Sequence, residues 1–271
     1  MSQAPSENIP LDLLASVATD AARQAGGVLA ECTQTGFRIE HKQIINLVTD
    51  ADHQAEQRII NVIHKTFPTH PILAEERGLT RQAPSRYKWV IDPLDGTTNF
   101  AHGFPAYCVS IGVERDGCGI IGVVYDPTRD DLFTAQIGHG AHRNGVPISV
   151  SSTDHLDRAL LVTGFSYDIR ENPNNNLNHF VRLALKVQGL RRTGTAALDL
   201  CYVASGRFDG FWEVTLNPWD MAAGVVILRE AGGNVTDFKG AAHSIYGQEL
   251  VASNGLIHQA MLDLLQEDTP P

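Results

Sequence analysis

The chain has 271 residues, 43% of them hydrophobic and 19% charged, which excludes disordered, collagen-like and coiled-coil classes. Its formal net charge of -10 argues against nucleic acid or an anionic membrane as the main partner, since both are bound through Lys/Arg clusters. The densest basic pair, Arg191-Arg192, reads as solvated or locally paired, so an anionic substrate would need a cation between itself and the protein. After a short polar tail, an amphipathic helix is predicted over Leu11 to Glu31, with Leu14, Val17, Ala18, Ala21, Ala25 and Val28 at helical spacing despite Gly26-Gly27. Lys42 to Thr49 reads as a strand or loop edge, and a second helix is predicted from Ala51 to Phe67, with Pro68 beyond its end. Trp89-Val90-Ile91 is a compact apolar strand that stops at Asp92-Pro93, and Val109 to Val113 and Ile120 to Tyr125 follow as strands. Asn144-Gly145 is a hairpin turn, because both residues tolerate positive φ. Leu160 to Val162 is a further strand. Phe180 to Val187 and Ala196 to Ser205 are helices, as is Pro218 to Glu230, which closes at Gly232-Gly233. Mixed helices and strands without repeat or linker imply one layered domain with two lobes, approximately 1–150 and 151–271.

Cys32, Cys108, Cys118 and Cys201 form no Cys-x-x-Cys pair and are too few for a disulfide framework, so reduced thiols in a cytoplasmic protein are expected. The N-terminal segment carries no leader pattern, and no apolar run reaches membrane-spanning length. His139-Gly-Ala-His142 lacks the spacing of a helical zinc site and falls in the hairpin. Nucleotide-loop and serine-hydrolase strings are missing from the sequence.

The chemistry concentrates in Asp92-Pro93-Leu94-Asp95-Gly96-Thr97-Thr98. Two carboxylates on one tight turn repel each other unless a cation lies between them, and oxygen-only ligands suit Mg²⁺ better than zinc. Gly96-Thr97-Thr98-Asn99 resembles a helix start whose free backbone N–H groups can take an anion. Taken alone, Asp-Pro and Asp-Gly are also ordinary turn dipeptides, and Thr97 or Asn99 a helix cap.

The full string Asp92 to Phe100 resembles a signature of the inositol monophosphatase family. Lys42 with Asn46 to Asp52, Ile72 to Glu76, the hairpin Gly138 to Ile148, Thr163-Gly164-Phe165, Gly194 to Ala197, Glu213, and Trp219 to Gly224 resemble further family segments in the same order. The resemblance covers nearly the whole chain. It implies an α+β fold, a layered αβαβα sandwich of the sugar-phosphatase type (inositol monophosphatase/fructose-1,6-bisphosphatase), with the active site between the lobes. It further implies two or three Mg²⁺ ions held by Glu75, Asp92, the Leu94 carbonyl, Asp95 and Asp220. Glu75, and Thr97 oriented by Asp52, would activate water. Gly96, Thr97 and Thr98 would hold phosphate, and Asp95, Gly194, Thr195, Ala196 and Glu213 the polyol. Phe165-Ser166-Tyr167-Asp168 follows a bacterial-type pattern and departs from the Ser-bearing segment of animal enzymes. The activity implied is hydrolysis of a small-molecule phosphate monoester, inositol-1-phosphate foremost, by a lithium-sensitive homodimer. Two alternatives accompany it. One is a sister fructose-1,6-bisphosphatase or histidinol-phosphatase, and the other is a protein-binding partner of transcription complexes with secondary catalysis.

Overall fold

The computed structural model describes residues 8–41, 47–80 and 85–267; Lys42 and Asn46 lie outside them. The first part of the chain forms α1 (Leu11–Thr35), β1 (Ile39–His41), β2 (Leu47–Thr49), α2 (Asp50–Thr66), β3 (Ile72–Ala74), β4 (Gly78–Thr80) and β5 (Tyr87–Asp95). Then come α3 (Thr97–Ala101), β6 (Cys108–Arg115), β7 (Cys118–Asp126), β8 (Asp131–Gln136), β9 (Ala141–Arg143) and β10 (Val146–Ile148). The remainder is β11 (Leu160–Thr163), α4 (Leu177–Ala184), β12 (Gly189–Arg191), α5 (Ala196–Ala204), β13 (Gly210–Val214), α6 (Pro218–Glu230), β14 (Asn234–Thr236), β15 (Glu249–Ser253) and α7 (His258–Leu265).

Eight strands form a sheet in the order β10-β9-β8-β7-β6-β5-β3-β4, and five form a second sheet in the order β12-β11-β13-β15-β14. Helices α1 and α2 pack on one face of the large sheet and α6 on the other, with α5 between α6 and the small sheet. Helices α4 and α7 close the far side. The alternation of a strand's side chains makes this layering possible. On β13, Phe211 enters the middle helical layer, while Trp212 and Val214 enter the outer one. The layers therefore run αβαβα, as the family resemblance implied.

Several boundaries differ from the sequence expectation for identifiable reasons. Helix α1 continues through Gly26-Gly27 to Thr35, because Gly26 is where Tyr125 of β7 presses against the helix; a Cβ there would lie 2.5 Å from that ring. Helix α2 starts one residue early, at Asp50, because Thr49 and Asp52 form a capping box. Helix α4 ends at Ala184 rather than Val187, since Gln188 and Gly189 give their N–H groups to Ala159 O to enter β12. The strand expected to stop at Asp92 runs on to Asp95. Asp92 faces Ser110 and Asp95 faces Cys108 on β6, so Pro93 and Leu94 form a bulge that tolerates a residue without a donor. The hairpin stands as read, with Asn144 and Gly145 both at positive φ (51° and 77°).

One close approach decides where α6 lies. Gly112 and Gly122 are opposite each other on β6 and β7, and the helix rests on both. A Cβ at Gly112 would sit 2.7 Å from Ala222 Cβ, and one at Gly122 would collide with Ala223 O. Gly122→Ala is expected to lower stability by about 1–3 kcal/mol through overpacking. That corresponds to a fall in Tm of roughly 2–10 °C by thermal denaturation, whereas an unchanged Tm would contradict this packing.

Candidate active site

Strands β3 and β5 run parallel with Ala74 opposite Ile91, so the turn after β3 carries Glu75 to the same end as Asp92. The β5 bulge turns Asp92 back on itself, and its Oδ1 accepts the Leu94 N–H at 2.9 Å. Gly96 then starts α3 from a left-handed conformation (φ 97°), with Ala106 O so near that a Cβ would stand 2.9 Å from it. Thr97 Oγ1 lies 3.1 Å from Asp52 Oδ1 and 3.0 Å from Leu94 O. Asp52 is fully buried, and its other oxygen accepts from Thr49 N at 2.8 Å and Thr49 Oγ1 at 2.6 Å. Burial raises the Asp52 carboxyl above its ordinary value, against the pull of these Thr49 bonds.

The opposite side comes from the second half of the chain. Thr195 caps α5 by accepting the Leu198 N–H at 3.2 Å, and Ala197 N–H reaches across to Asp95 Oδ2 at 2.8 Å. Helix α6 opens with Pro218, and Asp220 in its first turn accepts the Asn217 N–H at 2.7 Å. Glu213 projects from β13 onto the face of Gly164, where any side chain would occupy the carboxylate's place. These groups enclose a cleft of about 270 Å³. Glu75, Asp92, Leu94, Asp95, Gly96 and Thr97 line it from one half; Gly194, Thr195, Ala196, Glu213 and Asp220 line it from the other. Asp52, fully buried, and Thr98, partly exposed, are not among the residues that line it.

The electrostatics are those of crowded acids. Burial, reinforced by Glu75, Asp95 and Asp220, holds the Asp92 carboxyl well above the usual carboxylate range. Burial and the Asp95 charge do the same to Asp220 against the Asn217 amide, and Asp95 itself is raised by burial to about 6 although the Ala197 amide and Arg192 oppose the rise. Glu213 is pushed up to about 8 by burial and by Asp199, with Arg192 pulling the other way. Among the described residues no three His, Cys, Asp or Glu side chains close into a metal cage as they stand. The mutual shifts nonetheless mark the carboxylates as neighbours, and a buried, repelling, all-oxygen set suits a hard divalent cation.

Several lining residues escaped the sequence reading. Arg192, expected to be a solvated or locally paired charge, lines the cleft and partly offsets the rise that burial imposes on the Asp95, Asp199 and Glu213 carboxyls. Asp199, one turn into α5 from Thr195, is buried and bonded to the Thr193 hydroxyl. Tyr167 overhangs the acids in hydrogen-bonding contact with Thr98, and burial lifts its hydroxyl to about 12. Thr195 and Ala196, expected as polyol contacts, also orient Asp95.

The pH dependence of Glu213 follows from its raised value. A folded-state pKa of about 8 against an ordinary 4.5 means that this group's stabilising proton is held fully below 4.5 and lost as pH rises through 8. In metal-free protein the stability of Glu213→Gln relative to wild type should therefore rise between about pH 5 and pH 8. Paired denaturant titrations check this, and a gap that stays flat with pH would contradict it.

Comparison with known proteins places this geometry. The model of the inositol monophosphatase family matches residues 11–269. The chain is 46% identical over 250 residues to an inositol-1-monophosphatase of Synechocystis sp., covering 92% of this chain and 87% of that protein. It is 42% identical over 255 residues to the Nus factor SuhB of Salmonella typhimurium, covering 93% and 96% respectively. The solved structure of inositol monophosphatase from Anabaena (Nostoc) sp. superposes with a TM-score of 0.88 at 45% identity, over 96% of this chain and 98% of that one. With a family model spanning nearly its whole length and relatives of this closeness, the chain belongs to the inositol monophosphatase family.

Proposed function

We propose that the chain is a Mg²⁺-dependent phosphomonoesterase acting on polyol phosphates, with inositol-1-phosphate as its principal substrate. The observation that carries this reading is the convergence of Glu75, Asp92, Asp95 and Asp220 on one cleft in which Asp92, Asp95 and Asp220 are pushed toward protonation. Together with the Leu94 carbonyl they would hold two or three Mg²⁺ ions. Bound there, Mg²⁺ supplies positive charge that lowers the pKa of water and offsets charge on the departing oxygen. Asp52 accepts the Thr97 hydroxyl proton, which leaves the Thr97 lone pairs to receive a proton from water, and Glu75, lining the same cleft, would help to orient that water. Backbone amides at Gly96, Thr97 and Thr98 hold the phosphate oxygens. Asp95, Glu213 and the Gly194-Thr195-Ala196 segment accept or shape the polyol hydroxyls.

The same reading carries a lithium-sensitive, cytoplasmic homodimer whose two lobes, approximately 1–150 and 151–271, meet at the cleft. Among the described residues no helix is long and apolar enough to cross a membrane. A second reading draws on the 42% identity to a protein named Nus factor SuhB: the chain would bind transcription complexes, with catalysis secondary.

Phosphate release from inositol-1-phosphate, fructose-1,6-bisphosphate and histidinol phosphate, with Mg²⁺ or with chelator, tests the first reading. Inositol-1-phosphate should give the highest kcat/KM and chelator should abolish it; full activity in chelator would refute the metal dependence, and a faster sister substrate the inositol assignment. Asp92→Asn should lower kcat by about 10²-fold or more, as the loss of several kcal/mol of charge stabilisation requires, with an unchanged circular dichroism spectrum. Near-normal turnover in that variant would remove Asp92 from the mechanism.

A further inference from the structure

Five residues other than glycine have positive φ among the described residues: Asp116, Asp130, Asn144, Asn176 and Thr215. The first four are Asp or Asn, whose short polar side chains tolerate the left-handed region. Thr215, at φ 63°, is β-branched, which makes it the strained one of the set. It is also the one that lines the cleft.

Its surroundings hold it there. Thr215 follows β13 and precedes Asn217, the cap of α6, so it joins the strand bearing Glu213 to the helix bearing Asp220. Its N–H donates to Gln248 O at 2.6 Å, a bond that keeps the backbone turned. The other threonines that line the cleft are engaged by the protein: Thr97 with Asp52 and Thr195 with the Leu198 amide. Thr215 Oγ1 makes no hydrogen bond to any described residue, and the side chain is only partly buried. A glycine would make this turn without strain, so the side chain's presence is explained by what it offers to the cleft rather than by the turn.

We propose that Thr215 is a specificity-determining residue: its left-handed backbone presents a free hydroxyl beside Glu213, where it hydrogen-bonds a ring hydroxyl of the polyol being released. The inference rests on the polyol-phosphatase reading and adds to it a contact that favours alcohols rich in hydroxyl groups. It does not move a proton at the reacting phosphate, so its effect is on discrimination between leaving alcohols.

The test compares Thr215→Gly, Thr215→Val and Thr215→Ser on inositol-1-phosphate and on phenyl phosphate, whose leaving group carries no further hydroxyl. The ratio of kcat/KM for inositol-1-phosphate over phenyl phosphate should fall about 2–10-fold in the Gly and Val variants, the worth of one hydrogen bond, mainly through KM for the polyol ester. Thr215→Ser, which keeps the hydroxyl, should restore the wild-type ratio. Thr215→Gly should melt no lower than wild type, because it relieves strain. An unchanged ratio in the Gly and Val variants, a Ser variant that fails to restore it, or a lowered Tm for the Gly variant would each overturn the proposal. Wild-type protein that releases no phosphate from inositol-1-phosphate while hydrolysing phenyl phosphate would instead overturn the polyol reading beneath it.

Discussion

Repulsion among buried carboxylates is the constraint on which the site depends. Asp92 is almost wholly out of solvent, and Glu75, Asp95 and Asp220 each make its ionisation harder. In a low-dielectric cleft such a cluster costs folding energy unless the acids keep their protons or share a cation. The protein relieves part of this itself: backbone N–H groups at Leu94, Ala197 and Asn217 each donate to one of the acids. Two of these donors lie at the start of a helix, where the dipole favours negative charge. What they leave is a set of oxygens arranged to take a hard cation, in a chain whose net charge of -10 offers an anionic substrate little else.

The layered fold supplies the convergence. Parallel pairing of β3 with β5 aligns Glu75 with Asp92, and the bulge at Pro93-Leu94 adds Asp95 to the same end. Helix α6 reaches that end only because Gly112 and Gly122 let it lie close on the sheet. Helix α5 packs on α6 and presents its N-terminus to Asp95. The acids are thus placed by three elements, the turn after β3, strand β5 and helix α6, so the cleft depends on the packing of the middle helical layer more than on any single loop.

How much of this was legible in the sequence varied with the kind of signal. Long periodic helices such as α1, α2 and α6 declare themselves, as do the Asn144-Gly145 hairpin and the strands flanking it. Strand β13 did not: all five of its residues are buried, so it lacks the alternation that marks a half-exposed strand. The acids of the two signatures were legible because their strings are long. Arg192 and Asp199 were not, since a single charge in an exposed pair or inside a helix announces nothing until tertiary packing sets it against Glu213 and Asp95. Thr215 was invisible for another reason: backbone strain at a β-branched residue exists only once the chain is folded around it.

The central claim is that these acids form a divalent-cation site. Crystals grown with Mn²⁺ in place of Mg²⁺, and measured for anomalous scattering, address it without reference to activity. The account predicts anomalous peaks in the cleft within bonding distance of Asp92, Asp95 and Asp220 carboxylate oxygens. Peaks confined to other parts of the surface, or a cleft without any at millimolar Mn²⁺, would contradict it.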